Sequence, residues 1–182
     1  MKAMVAVAEG SESLETVTVV NVLRRAGFEV TVASITGQLA VKATREITLT
    51  ADALFADVAA QTFDLIVLPG GETGARTLGA HAALIQMLND QRHAHRWTAA
   101  ICAAPALALA PAGLLDGKQA TCYPAFRDAL LHFVDLPVVV DGHCITSQGP
   151  ATAMTFALQL VESLAGSALR KEIAADLLHH GH

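Results

Sequence analysis

Cys102 stands where an apolar run, Thr98 to Ile101, gives way to the small residues Ala103, Ala104 and Pro105. Small neighbours permit a sharp strand-to-helix turn, which would push the thiol out of a strained elbow. At a helix N-terminus the partial positive charge favours thiolate, and a cysteine pKa falls from about 8.5 toward neutrality or below. Such a thiol is a nucleophile. The same segment also fits a packed core thiol, because free cysteine is among the most buried residue types. From this segment alone both readings stand.

Two further segments could complete a site around that sulfur. DLIVLPGGETGA places Pro-Gly-Gly after an apolar strand, a turn that leaves backbone N–H groups facing outward. The Gly71 and Ala103 amides could then form an oxyanion hole for an adduct on Cys102. The string lacks both the Walker pattern and the dinucleotide fingerprint, so a phosphate loop is poorly supported and a plain Gly-rich turn is the alternative. AEGSESLETV supplies Glu9, Glu12 and Glu15. Glu12 suits a helix N-terminus electrostatically. Glu15 sits among Leu14, Thr16 and Val17 on an apolar helix, where a partly buried carboxyl of raised pKa could hold or move a proton.

A histidine base is the usual partner of a nucleophilic cysteine. None is tied to Cys102 by position: His143 falls in a turn between strands, His81, His93 and His95 on a surface helix, and His132 near a loop. This makes a Cys-His protease a minority reading.

The elements that must carry these residues alternate between short apolar runs and helical patterns, the signature of βαβ units and a mostly parallel sheet. Strands are expected at Met4 to Ala8, Phe28 to Ser34, Asp64 to Leu68, Thr98 to Ile101 and Cys144 to Ser147, with weaker ones at Lys118 to Cys122 and Val138 to Val140. Ala40 to Thr50 alternates apolar and polar residues and reads as a small antiparallel pair. Helices are expected at Glu12 to Ala26, His81 to His95, Ala103 to Ala110, Pro124 to Leu131, Pro150 to Ala165 and Leu169 to Leu178. Gly27 and Gly166 act as stops. The prediction is one doubly wound α/β domain over residues 1–182 with helices on both faces, whose crevice lies at the carboxyl ends of the strands.

Composition limits the function classes. The chain has 182 residues, 53% hydrophobic and 16% charged, so it should fold throughout. A formal charge of −5 and only 12 basic residues argue against a nucleic-acid surface. No segment approaches ~20 apolar residues, and the first apolar run is too short for a signal peptide, so a cytoplasmic location is expected. Cys102, Cys122 and Cys144 cannot all pair and have no zinc spacing; reduced thiols without metal or cofactor are expected. His179, His180 and His182 cluster at the C-terminus and read as a solvated tail.

Together, AEGSESLETV, LRRAGFEVTVAS, DLIVLPGGETGA, AAICAAPALALA and ITSQGPATAMTFAL resemble the DJ-one branch of the ThiJ/PfpI superfamily. The resemblance runs over nearly the whole chain. It implies a flavodoxin-like fold of the class I glutamine amidotransferase kind, a homodimer, and a reactive cysteine hydrogen-bonded to a protonated glutamate. By resemblance these are Cys102 and Glu15, with Gly71 and Ala103 as backbone donors and Arg45 approaching the pocket across the dimer interface. This chain departs from many members in having Tyr123 where they place a histidine. A phenol of pKa about 10 is a poor base at neutral pH, which leaves the proton traffic to Glu15.

The resemblance further implies a glyoxalase or deglycase acting on reactive α-oxoaldehydes or glycated substrates without a cofactor. The alternative is a redox sensor or chaperone that works through oxidation of Cys102. Cys122, one residue from Tyr123, is expected to face away from the pocket and to be a core thiol, as is Cys144.

Overall fold

Near-continuous apolar runs in β1 and β6 are what build this fold, because both faces of a parallel sheet must be covered. In the computed structural model, which describes residues 1–179, the chain runs β1 (Lys2–Val7), α1 (Ser13–Arg25), β2 (Glu29–Ser34), β3 (Ala40–Lys42), β4 (Thr48–Thr50), β5 (Ala53–Leu54) and α2 (Phe55–Val58). It continues through β6 (Leu65–Leu68), α3 (Glu72–Ala80), α4 (Ala82–His93), β7 (Trp97–Ile101), β8 (Val138–Asp141), β9 (Cys144–Ser147), α5 (Ala153–Ala165) and α6 (Ser167–Asp176). His180 and His182 of the expected C-terminal cluster lie outside the described residues.

The main sheet has the order β5-β2-β1-β6-β7-β9-β8, with every neighbouring pair parallel except β8 and β9. Ala3, Val5 and Val7 of β1 point into a core with Val19, Val22 and Leu23 of α1 and Phe156 and Leu160 of α5. Met4, Ala6 and Ala8 point the other way, against Leu78 of α3, Leu84 and Leu88 of α4 and Leu109. The expected doubly wound α/β fold is therefore the one observed.

From β1 the chain passes to β2 on one side and later returns to β6 on the other. This reversal opens a crevice beyond the carboxyl ends of β1 and β6, where doubly wound sheets place their ligands. The loops after β1, β6 and β7 all end there. The expected antiparallel pair at 40–50 is present as β3 and β4, joined in register from Ala40↔Thr50 to Lys42↔Thr48.

Four expected elements differ. Lys118 to Cys122 is not a strand and makes only an isolated bridge between Ala120 and Phe133. Its N–H groups go to side chains instead of a ladder: Gln119 donates to Asp141 Oδ2 (2.9 Å) and Thr121 to Thr146 Oγ1 (2.9 Å). Ala103 to Ala110 is not a regular α-helix; Pro105–Leu109 coils more widely, with Ala110 N–H reaching Pro105 O. Pro124–Ala129 is 3₁₀. Helix α3 replaces an expected loop after Gly71, and the next helix starts at Ala82 with His81 as its cap, its Nδ1 accepting from Leu84 N–H. His81 is thus a capping residue, whereas His93, His95, His132 and His143 are exposed as expected.

Candidate active site

The strand β7 ends at Ile101 and the next residue, Cys102, takes the left-handed backbone with φ of 63°. A side chain other than glycine pays roughly 1–2 kcal/mol for that conformation. The elbow is held from both sides: Cys102 N–H donates to Ser147 O (2.9 Å), and Tyr123 N–H donates to Cys102 O (2.8 Å). The thiol is therefore aimed by strain that neighbouring strands and loops offset, as a nucleophile elbow requires. It is partly exposed, while Cys122 and Cys144 are buried. Tyr123 is 44% exposed beside a fully buried Cys122, so the two do face opposite ways.

Helix α1 brings Glu15 to this sulfur. Glu15 is fully buried, its Oε2 accepts from Gly70 N–H (2.7 Å), and its Oε1 is buried with no nitrogen or oxygen partner among the described residues. The Cys102 sulfur stands beside the carboxyl: a Cβ placed on Gly70 would lie 2.8 Å from Glu15 Oε2 and 3.0 Å from Cys102 Sγ. Burial pushes the Glu15 pKa up to about 7, against the pull of the Gly70 N–H and the thiol. Glu12, at the N-cap of α1 with Oε1 taking Leu14 N–H (3.2 Å), adds a smaller upward push through its charge.

The thiol behaves differently from its expected lowering. Burial first, then the charge of Glu15, pushes Cys102 up to about 12, although Gly71 and Ala103 N–H groups at the sulfur pull it down. The helix expected to favour thiolate is a short, irregular coil, so little dipole is aligned behind the sulfur. Two strongly coupled groups this close titrate as a pair. Near pH 7 the pair loses its first proton, from Glu15, and the second stays on the Cys102 sulfur.

Gly70 is the residue that sequence reasoning missed. A Cβ there would lie 2.4 Å from Cys102 Cβ and 2.8 Å from Glu15 Oε2, so only glycine lets the thiol and carboxyl meet. Its neighbour Gly71 has φ of +81°, and a Cβ on it would fall 2.1 Å from Gly10 O. Both glycines of Pro-Gly-Gly thus have packing reasons; the sequence signal was visible but pointed only to the second.

Arg45 and Tyr123 stand apart from the thiol–carboxyl pair. Arg45 is exposed, with a left-handed backbone (φ 58°), in the turn between β3 and β4. That turn is tied to the crevice through Thr44, whose N–H donates to Ser11 O (2.9 Å) and whose Oγ1 accepts from Ser13 N–H (3.3 Å). Tyr123 meets the elbow through its backbone, and its ring lies against Gly149. Among the described residues no histidine hydrogen-bonds Cys102 or Glu15, and no cluster of three His, Cys, Asp or Glu side chains could hold a metal ion. No helix among them is long and apolar enough to cross a membrane.

A buried acid against a thiol on such an elbow defines the thiol-site class of doubly wound α/β proteins. The model of the DJ-1/PfpI family matches residues 1–163, and the chain belongs to that family. It is similar to Protein DJ-1 homolog B of Arabidopsis thaliana, 44% identical over 180 residues that are 97% of this chain and 41% of that protein. It thus spans less than half the length of this relative. It is 32% identical to a Caenorhabditis elegans protein named glutathione-independent glyoxalase DJR-1.2, across 87% of this chain and 85% of the relative. The solved structure of oxidised Toxoplasma gondii DJ-1 superposes with a TM-score of 0.97 at 40% identity, covering 99% of both chains.

The Glu15 pKa makes stability depend on pH in a definite direction. Its value is about 7 folded against 4.5 for the free side chain, so between these the folded state binds more protons. The resulting stability is fully present below 4.5 and is lost as pH rises through 7, amounting to about 3 kcal/mol. Urea unfolding across this range should show that decline in wild type and a flatter dependence in Glu15→Gln. An equal slope in both would contradict the assignment.

Proposed function

We propose that this protein converts α-oxoaldehydes to 2-hydroxy acids with Cys102 as nucleophile and Glu15 as the proton carrier. The observation that carries this reading is a thiol whose close titratable partner, among the described residues, is a buried carboxyl of pKa about 7. As sulfur bonds to the aldehyde carbon, its proton moves to Glu15, which passes it to the carbonyl oxygen, giving a hemithioacetal and returning Glu15 to the carboxylate. Glu15 then takes the proton from that carbon and returns one to the adjacent carbon through an enediol, leaving a thioester. Water hydrolyses the thioester to the 2-hydroxy acid and restores the thiol. The Gly71 and Ala103 N–H groups stabilise negative charge as it develops in the adduct. No redox equivalent is consumed, because the aldehyde carbon is oxidised as its neighbouring carbonyl carbon is reduced. Glycated proteins or nucleotides could enter by the same chemistry as deglycase substrates.

A second reading is supported by the unpartnered Glu15 Oε1: once protonated, it could donate to an oxygen of a Cys102 sulfinate, making the site a redox sensor or chaperone switch. One experiment separates the two. Lactate formation from methylglyoxal should be present in wild type and fall by at least about a hundredfold in Cys102→Ser. Undiminished turnover in that variant would contradict the enzyme reading. Negligible wild-type turnover, with two oxygens added to Cys102 by mild peroxide, would favour the sensor.

The proposed partner is a second copy of this chain. Leu14 and Val17, one turn apart on α1, are each 52% exposed, and Ile47 beside the Arg45 turn is 47% exposed. Pairing through this face would bury the apolar stripe and bring the partner's hairpin, with its Arg45, toward the crevice. Sedimentation velocity should give a dimer that Leu14→Glu/Val17→Glu converts to monomer; a monomeric wild type at micromolar concentration would contradict it.

A further inference from the structure

We infer a second ligand site, for a phosphate-bearing small molecule, at the opposite end of the sheet from Cys102. A cavity of about 450 Å³ opens where β7 and β9 begin, lined by Arg92, Arg96, Lys118, His95, His143 and Asp116, among others. Thr98 at its wall precedes Cys102 by four residues of β7, roughly 13 Å along the strand. The volume lies within the range of small-molecule pockets.

Charge identifies the ligand class. Arg24, Arg25, Arg76, Arg127 and Arg170 each pair with a carboxylate, but Arg92 and Arg96 have no carboxylate partner among the described residues. Both are instead tethered through neutral oxygens. Arg92 Nη1 donates to Gly113 O (2.7 Å), and Arg96 Nε donates to Gln91 Oε1. Each tether fixes the side chain and leaves its charge uncompensated, with further N–H donors free. Such pre-set forks match phosphate oxygens in shape and charge.

Lys118 adds a third permanent cation. Its Nζ donates to Asp141 O (3.2 Å) and stands 3.8 Å from Asp141 Oδ1, so it is partly answered, and Asp116 contributes one opposing charge at the wall. The carbonyls at the end of α4 do not cancel the arginines: Asp90, Gln91 and Arg92 oxygens accept from Ala94, Arg96 and His95 N–H groups. His95 and His143, ring centroids 5.9 Å apart, flank the opening, and His143 is backed by Trp97 at 5.0 Å. In a chain of net charge −5, this gathering of Arg92, Arg96 and Lys118 is the feature a polyanionic ligand would recognise.

Calorimetric titration of the full chain with pyrophosphate and with ADP, at ionic strength matched with chloride, tests the site. Saturable one-to-one binding of at least one probe is expected, weakened by at least about tenfold in Arg92→Gln/Arg96→Gln and kept in Arg24→Gln/Arg25→Gln. Should the double variant fail to fold, Lys118→Gln serves in its place, with the same loss expected. No saturable binding, or equal affinity in the cavity variants and the control, would overturn the inference. Binding of pyrophosphate alone identifies the phosphate groups as what is recognised; preference for ADP adds a base or sugar contact to the same site.

Discussion

The candidate site rests on the mutual burial of a carboxyl and a thiol. Glu15 is fully enclosed, so its charge is expensive, and the thiol of Cys102 beside it cannot ionise independently. Two groups that each resist charge are made to share a single negative charge, which the Gly70, Gly71 and Ala103 N–H groups receive. This arrangement differs from a thiolate poised by a helix dipole. Reactivity comes from a thiol proton with a carboxyl beside it to receive it.

Everything around the pair serves that contact. The order of strand addition reverses at β1, which brings the start of α1 next to the loop after β6, and β7 delivers Cys102 on the adjoining strand. Glycines then allow the three loops to touch. Gly70 admits the sulfur and carboxyl, and Gly74 approaches so closely that a Cβ would lie 2.6 Å from Ser11 N. A methyl group at either position would separate the elements that carry Glu15 and Cys102.

Much of this was legible in the chain, and the rest failed for physical reasons. The elbow could be read from apolar residues meeting small ones, and Glu15 from a carboxyl among apolar neighbours, because local sequence already carries those conflicts. Helix α3 was hidden by Gly74 and Gly79, which lower helix propensity; both are there for packing, since a Cβ on Gly79 would lie 2.6 Å from Leu107 O. Lys118 to Cys122 reads as a strand because polar and apolar residues alternate from Gln119 to Cys122, yet Asp141 and Thr146 take the N–H groups a neighbouring strand would have used. The thiol's upward pKa was not legible either, since burial depends on tertiary packing that no single segment reveals. Gly70 lay in plain view, but which of two adjacent glycines meets the sulfur depends on the path of α1.

The coupling is tested most directly by the rate at which iodoacetamide alkylates Cys102 as pH is raised. Burial and the charge of Glu15 hold the thiol up to about 12, so the wild-type rate should climb only well above the ordinary thiol value of 9.0, whereas Glu15→Gln, which removes that charge, should bring the midpoint down. A midpoint unchanged in Glu15→Gln would contradict the coupling of Cys102 to Glu15.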